Sequence, residues 1–161
     1  MDITFKPMTR ELARQYFREF VLDPDLFIDP ATYRPFEYNE HECDQRVERY
    51  QKLGRIYFAI MQGEKPIGEI VLKRIDPEKK CCTIGISLVN DQYKNRGLGT
   101  QAEQMILEYA FDSLGMETVF ADAVITNRRS RHVLEKVGFI QISTDDTFVY
   151  YRCDKISRKN S

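Results

Sequence analysis

The chain has 161 residues, the length of one domain, and is long enough to bury a core without disulfide or metal staples. Its 24 basic and 25 acidic side chains leave a formal net charge of −1, which excludes a general pull on nucleic acid or anionic membrane and leaves only a local basic groove open. An apolar share of 42% with 12% aromatics excludes disorder, and apolar runs such as Ile56 to Met61 are far too short to span a bilayer.

The N-terminal residues carry no apolar stretch of the signal-peptide kind. Cys43, Cys81, Cys82 and Cys153 include no C-x-x-C pair, and there are two histidines, so no metal site is expected. The thiols read as reduced, in a cytoplasmic protein.

In chain order, the first predicted element is a short strand at Ile3 to Phe5. Thr9 caps a helix whose buried face is Leu12, Ala13, Tyr16, Phe17, Phe20 and Val21. Leu22 to Tyr38 holds Pro24, Pro30 and Pro35 among Phe27, Tyr33, Phe36 and Tyr38, and proline blocks a long helix there. That segment reads either as a packed surface loop or as one wall of a substrate groove. Asn39 with Glu42 matches a capping box for a second helix, with Cys43, Val47 and Tyr50 inward and Gly54 at its end. Strands at Ile56 to Gln62, Ile67 to Ile75 and Cys81 to Asn90 follow with short turns between them, which makes them antiparallel neighbours. Leu98, Ala102, Met105, Ile106, Tyr109 and Ala110 mark a helix closed by Gly115, and Met116 to Thr126 is the next strand. Strand, helix, strand is a right-handed crossover, so these two strands should lie parallel. A short helix from Arg128 to Val137 stops at Gly138. A hairpin then pairs Phe139 to Ser143 with Phe148 to Asp154 across Asp145-Asp146. The expected architecture is α+β: a mixed, mostly antiparallel sheet of about seven strands with about four helices. Residues 3–155 read as a single domain and 156–161 as a polar tail.

The segment Tyr93-Lys94-Asn95-Arg96-Gly97-Leu98-Gly99-Thr100 leaves a strand and opens a helix. Its glycines let a ligand approach the amides, and the first helical N–H groups form an anion site suited to a pyrophosphate. As a string, Gly97-x-Gly99-x-x-Ala102 also satisfies the dinucleotide fingerprint. That motif belongs at the first turn of a parallel, doubly wound sheet, whereas here three antiparallel strands come first. No Gly-Lys-Ser or Gly-Lys-Thr exists for a P-loop.

With these residues in place the chain resembles the GNAT superfamily of acetyl-CoA-dependent N-acetyltransferases. The family's Q/R-x-x-G-x-G/A turn is matched by Lys94-x-x-Gly97-x-Gly99, with lysine in the first position. A second block, Asn127-x-x-Ser130-x-x-x-x-Glu135-Lys136-x-Gly138-Phe139, is similar to the pattern of the branch that contains ribosomal-protein N-terminal acetyltransferases. The resemblance covers about residues 3 to 155. It implies a GNAT-like sheet splayed at its two central parallel strands. It also implies acetyl-CoA as cosubstrate, with its arm bonded to backbone near Leu88 and Val89 and held by Asn127. The pyrophosphate would sit on amides of Arg96, Gly97, Leu98, Gly99 and Thr100, with Lys94 beside it. Acetyl transfer to a primary amine, on a small molecule or a protein N-terminus, would proceed by direct attack. Ser130 is the candidate proton donor, because Leu134 stands where many relatives carry a tyrosine acid. Thr83 replaces the usual strand glutamate, so Glu69 is the nearest candidate base, with Glu37, His41 and Glu42 as alternatives. His132 and the arginines around it read as a solvated face, with one arginine meeting a CoA phosphate. The acids Asp23, Asp25, Asp29, Glu37 and Glu40 would suit a cationic acceptor. An alternative is a non-catalytic acetyl-CoA-binding sensor or interaction module of the same fold. The hairpin's edges leave a homodimer open.

Overall fold

The structure is a computed structural model and describes residues 2–159. Its elements run β1 (Thr4–Pro7), α1 (Arg10–Glu19), α2 (Glu40–Lys52), β2 (Ile56–Gln62), β3 (Lys65–Asp76), β4 (Cys81–Leu88), α3 (Leu98–Glu108), β5 (Thr118–Val124), α4 (Arg128–Lys136), β6 (Ile140–Thr144), β7 (Phe148–Asp154) and α5 (Lys155–Lys159). The caps form as the sequence implies. Thr9 Oγ1 accepts from Leu12 N at 3.1 Å, and Asn39 Oδ1 accepts from Glu42 N at 3.0 Å. Beyond α3 the helix widens into a π-turn at Tyr109–Ser113 before Gly115 stops it in the left-handed region.

One seven-stranded sheet has the order β1-β2-β3-β4-β5-β7-β6. All neighbours are antiparallel except β4 and β5, which are parallel across α3. In β3 every residue from Pro66 to Leu72 is buried, so both faces of the sheet are covered. Helices α1 and α2 pack together and reach β3 and β2, while α3 and α4 pack together and reach β4, β5 and β6. Pro66 is tolerated inside β3 because the ladder slips at Ile60/Met61 opposite it. Gly68 is required by crowding: a Cβ there would lie 2.7 Å from Ile60 Cδ1 and 2.8 Å from Ser87 O. At the outer edge, Ile140 and Ile142 of β6 are exposed.

The segment between α1 and α2 forms two 3-10 turns, Pro24–Leu26 and Pro30–Thr32, and is anchored by its aromatics. Phe36 packs on Phe17 and Phe20 at 5.5 and 5.1 Å, and Tyr33 OH donates to Leu22 O at 2.9 Å. Val21 N donates to Val89 O, and Thr126 Oγ1 donates to Asp25 O at 2.6 Å, so the loop is tied to the ends of β4 and β5. At the other end of the chain, the polar tail expected from residue 156 begins as helix. Lys155 N donates to Glu117 O at 2.9 Å and Arg158 meets Glu108 at 3.8 Å, while Asn160 and Ser161 lie outside the described residues. Among the described residues no helix is long and apolar enough to cross a membrane, and no cluster of acids, cysteines or histidines is arranged to hold a metal.

Candidate active site

β4 and β5 pair only from Cys81–Thr118 to Thr83–Phe120. Beyond that point β4 runs on to Leu88 and β5 to Val124 without pairing to each other, and the sheet opens into a cleft. On its other side β4 stays bonded to β3, and Val89 N donates to Ile67 O at 2.8 Å. Hydrogen-bonded and non-bonded pairs alternate along an antiparallel ladder. Because Ile67–Val89 is bonded, the Gly68–Leu88 and Ile70–Ile86 pairs are not, and the Leu88 and Ile86 peptide groups turn towards the cleft. At Val89 the N–H is spent on Ile67 of β3, and the carbonyl accepts from Val21 N while keeping a second lone pair.

Gly97 opens α3 at φ 77°, a conformation that suits glycine, and provides no side-chain cap. The first bond back to it comes from Gln101 N at 3.0 Å, so the N–H groups of Leu98, Gly99 and Thr100 have no partner within the helix. A Cβ at Gly97 or Gly99 would meet nothing within 4 Å, which leaves the backbone open to approach.

Gly99 lies in the wall of a cavity of about 140 Å³, with Val21, Asp23 and Leu26 of the proline-rich loop, Ile86 and Leu88 of β4, and Val133 of α4. A second cavity of about 300 Å³ reaches Arg46 of α2, Glu69 of β3, Gly85 of β4 and Asp122 of β5. Both cavities include Leu26, Ile86, Ser87, Glu103, Asn127 and Ser130, so one passage leads from the α3 N-terminus through the cleft towards α2. The loop is thus both a packed element and a wall of the groove.

Within the passage, Asn127 caps α4 by accepting from Ser130 N at 3.2 Å, which leaves its NH₂ group available. Ser130 Oγ makes no hydrogen bond among the described residues. Lys94 Nζ lies 2.9 Å from Asp23 and 3.1 Å from Asp91, and Arg129 joins the same two acids at 3.6 and 3.9 Å. Burial acts to raise the Asp23 carboxyl, but the Asp25 N–H and the Lys94 ammonium outweigh it and pull it below its ordinary range. Arg96 is exposed and bonds Gln92 O at 3.3 Å, outside both cavities, and the Leu98 side chain is in the core. His132 is exposed, and Arg131 is taken by Tyr151 OH and Ile125 O.

Glu69 is 5% exposed and both its oxygens are engaged. Arg46 Nη2 donates to Oε1 at 2.5 Å and Tyr57 OH to Oε2 at 3.0 Å. Burial and then the Glu69 charge push the Tyr57 hydroxyl well up, so it stays a donor. The expected strand base is therefore present in the cavity wall, but as half of a buried ion pair. Glu37, His41 and Glu42 are exposed and line neither cavity. Asp23 is the one member of the expected acidic set on the walls, and it is bound by two cations; Asp25, Asp29, Glu37 and Glu40 are absent from them. Glu103 was not foreseen. Its only sequence signal is an acid on the apolar stripe of α3, among Leu98, Ala102, Ile106 and Leu107.

The family profile described as Acetyltransferase (GNAT) domain matches residues 2–140. The chain belongs to the GNAT acetyltransferase family. Over 93 residues this GNAT domain is 27% identical to "Putative ribosomal N-acetyltransferase YdaF" of Bacillus subtilis (strain 168), which covers 58% of the chain and 50% of that relative. The chain thus spans about half the length of the curated relative it matches. Among solved structures it is similar to AAC(6')-Ib in complex with ribostamycin and coenzyme A, with a TM-score of 0.81 at 16% identity over 100% of this chain and 98% of the other. A chimera of spermidine N-acetyltransferase SpeG from Vibrio cholerae and hSSAT gives a TM-score of 0.78 at 13% identity, over 100% of each chain. At these identities the structures establish the fold. The splayed parallel pair and the open glycine turn lie inside the matched span.

Proposed function

We propose that this GNAT domain transfers an acetyl group from acetyl-CoA to a primary amine, on a small molecule or a protein N-terminus, by direct attack with both substrates bound. The observation that carries this reading is the passage through the splayed sheet, with an uncapped helix N-terminus and open glycines at one end and the unbonded Ser130 hydroxyl in its wall. Acetyl-CoA fits these groups. The N–H groups of Leu98, Gly99 and Thr100 sit at the positive end of α3, where a pyrophosphate is stabilised, and Lys94 and Arg129 lie beside them. The unpaired Leu88 and Ile86 peptides and the Asn127 NH₂ match the amides of the pantetheine arm.

When bound, acetyl-CoA supplies a thioester whose carbonyl carbon is electrophilic. The Leu88 N–H is the donor available to an oxygen that gains negative charge. Ser130 Oγ holds a proton for the departing thiolate. The acceptor amine, an ammonium with a pKa near ~10.4, must lose a proton before it attacks. Each Glu69 oxygen retains a second lone pair, and Glu69 is the carboxylate we assign to take that proton, directly or through water.

The walls bear on the acceptor. Arg55 and Lys73 reach the second cavity and form no ion pair among the described residues, while Asp122 is its one acid besides Glu69 and Glu103. An amine that carries its own carboxylate or phosphate fits these walls better than a polycation. Its kcat/KM should exceed that of a neutral analogue, and Arg55→Ala should remove the preference; equal values for both amines would refute it.

Leu134 favours a second reading, a non-catalytic acetyl-CoA-binding sensor or interaction module, because it leaves an apolar side chain where the resemblance leads one to expect a tyrosine acid. Thermal unfolding tests the shared part. Acetyl-CoA at a hundred times its Kd should add ~2.7 kcal/mol and raise Tm by roughly 5–11 °C, with NADH as the inert control. Steady thiol release with any amine in a panel then supports the transferase, and its absence across the panel supports the module.

A further inference from the structure

Glu103 is an acid on a face of α3 that otherwise enters the core. It is 7% exposed, and its Oε2 is enclosed without a hydrogen-bond partner. No hydrogen bond or ion pair reaches Glu103 at all among the described residues. Buried polar groups are normally partnered, and the exceptions point to a ligand or an ordered water. Burial alone pushes this carboxyl up to about 8, so it holds its proton at neutral pH.

Its position says which ligand. Glu103 is in the wall of both cavities. It follows Gly99 by four residues on the same face of α3, which is one turn, or about 6 Å, beyond the open amides. From the surrounding elements it shares the passage with Ile86 and Ser87 of β4 and with Asn127 and Ser130 of α4, and once ionised it would help to raise the Cys153 thiol of β7. The charged groups of the passage are Asp23, Lys94 and Arg129 at one end and Arg46, Arg55, Glu69, Lys73 and Asp122 at the other. None of them shifts Glu103, for which burial is the sole cause.

We propose that Glu103 is a binding residue for the acetyl-CoA arm, and that its carboxyl group is the hydrogen-bond partner of an amide of that arm. The neutral acid donates its O–H to an amide carbonyl as the arm leaves the helix N-terminus for the cleft. A carboxylate at this place has no proton to give and would face the phosphates with a like charge. The inference rests on the acetyl-CoA reading above.

The test is acetyl-CoA affinity by calorimetric titration, with unfolding of the ligand-free protein measured alongside, for wild type, Glu103→Gln and Glu103→Leu. Glu103→Gln keeps the shape and a donor, and should bind at pH 7 within about threefold of wild type. Glu103→Leu should weaken binding about tenfold while raising the Tm of the ligand-free protein, because it removes a partnerless buried polar group. Wild-type affinity should fall up to about tenfold from pH 7 to pH 9 as the carboxyl ionises, and that of Glu103→Gln should not. Wild-type affinity in Glu103→Leu, or the same pH dependence in Glu103→Gln, would overturn the inference and leave the acetyl-CoA reading standing. So would full affinity with lost turnover in Glu103→Gln, which would make the residue a proton carrier. No acetyl-CoA binding by wild type would sink both.

Discussion

Replacing Arg46 by methionine keeps most of the apolar stem and removes the charge opposite Glu69. The structure then predicts an asymmetric result. The Glu69 side chain is 7% exposed and Arg46 lies 2.5 Å from it, so without the guanidinium a carboxylate is left enclosed with one hydroxyl. Breaking a buried pair from one side costs about 3–5 kcal/mol. At about 2–4 °C per kcal/mol, Arg46→Met should lower Tm by roughly 6–20 °C. The reverse change is milder. The Arg46 side chain is 28% exposed and lies 4.7 Å from the Tyr50 ring centroid, so in Glu69→Met the cation keeps water and an aromatic face. We expect a loss of about 1–2 kcal/mol there, between the exposed and buried limits. The double variant should recover most of the deficit of Arg46→Met, because two apolar side chains leave no charge behind. The assay is chemical denaturation of all four proteins as a double-mutant cycle, with a coupling of at least about 2 kcal/mol expected. Losses that simply add, or an Arg46→Met no worse than Glu69→Met, would refute the buried-pair account and return Glu69 to the role of a free strand acid.

The other expectations concern the passage. Gly99→Val should keep the wild-type Tm, since its Cβ meets nothing within 4 Å, and should weaken acetyl-CoA binding more than about tenfold by covering the α3 amides; unchanged affinity in a titration would make the turn purely structural. Ser130→Ala should lower kcat about tenfold or more with the acetyl-CoA Kd nearly unchanged, and lost affinity at full turnover would make Ser130 a binding group only. Asp23→Asn should speed hydrogen exchange in the loop 22–38 at neutral pH by freeing it from Lys94 and Arg129. The Asp23 carboxyl is lowered from 3.8, so its tether is fully present above that value and is lost only as pH falls below it. Wild-type exchange should therefore approach that of Asp23→Asn only in strong acid, and equal exchange at pH 7 would show that the aromatics and the hydrogen bonds to Val89 and Thr126 hold the loop without the ion pairs.

What could be read ahead of the structure follows from how local each interaction is. Thr9 and Asn39 cap helices three residues downstream, and spacing within one turn reveals them. The glycine turn is equally local, and Gly97 at φ 77° with an open Gly99 is what its pattern implies. Val89 shows where that reasoning stops. The hydrophobic run marks the end of β4, but which peptide groups are spent on β3 depends on ladder parity, and a shift of one residue exchanges Leu88 for Val89. The Arg46–Glu69 pair joins residues 23 apart through the docking of α2, and no periodicity announces it. Glu103 is the most instructive case. Helical spacing puts it on the buried stripe, where an unpaired acid is a local conflict with the fold. Such conflicts persist where function requires them, and this one stands where the two cavities meet. The acid that breaks the pattern of its own helix thus lies in the wall of both cavities, whereas the exposed acids of the loop line neither.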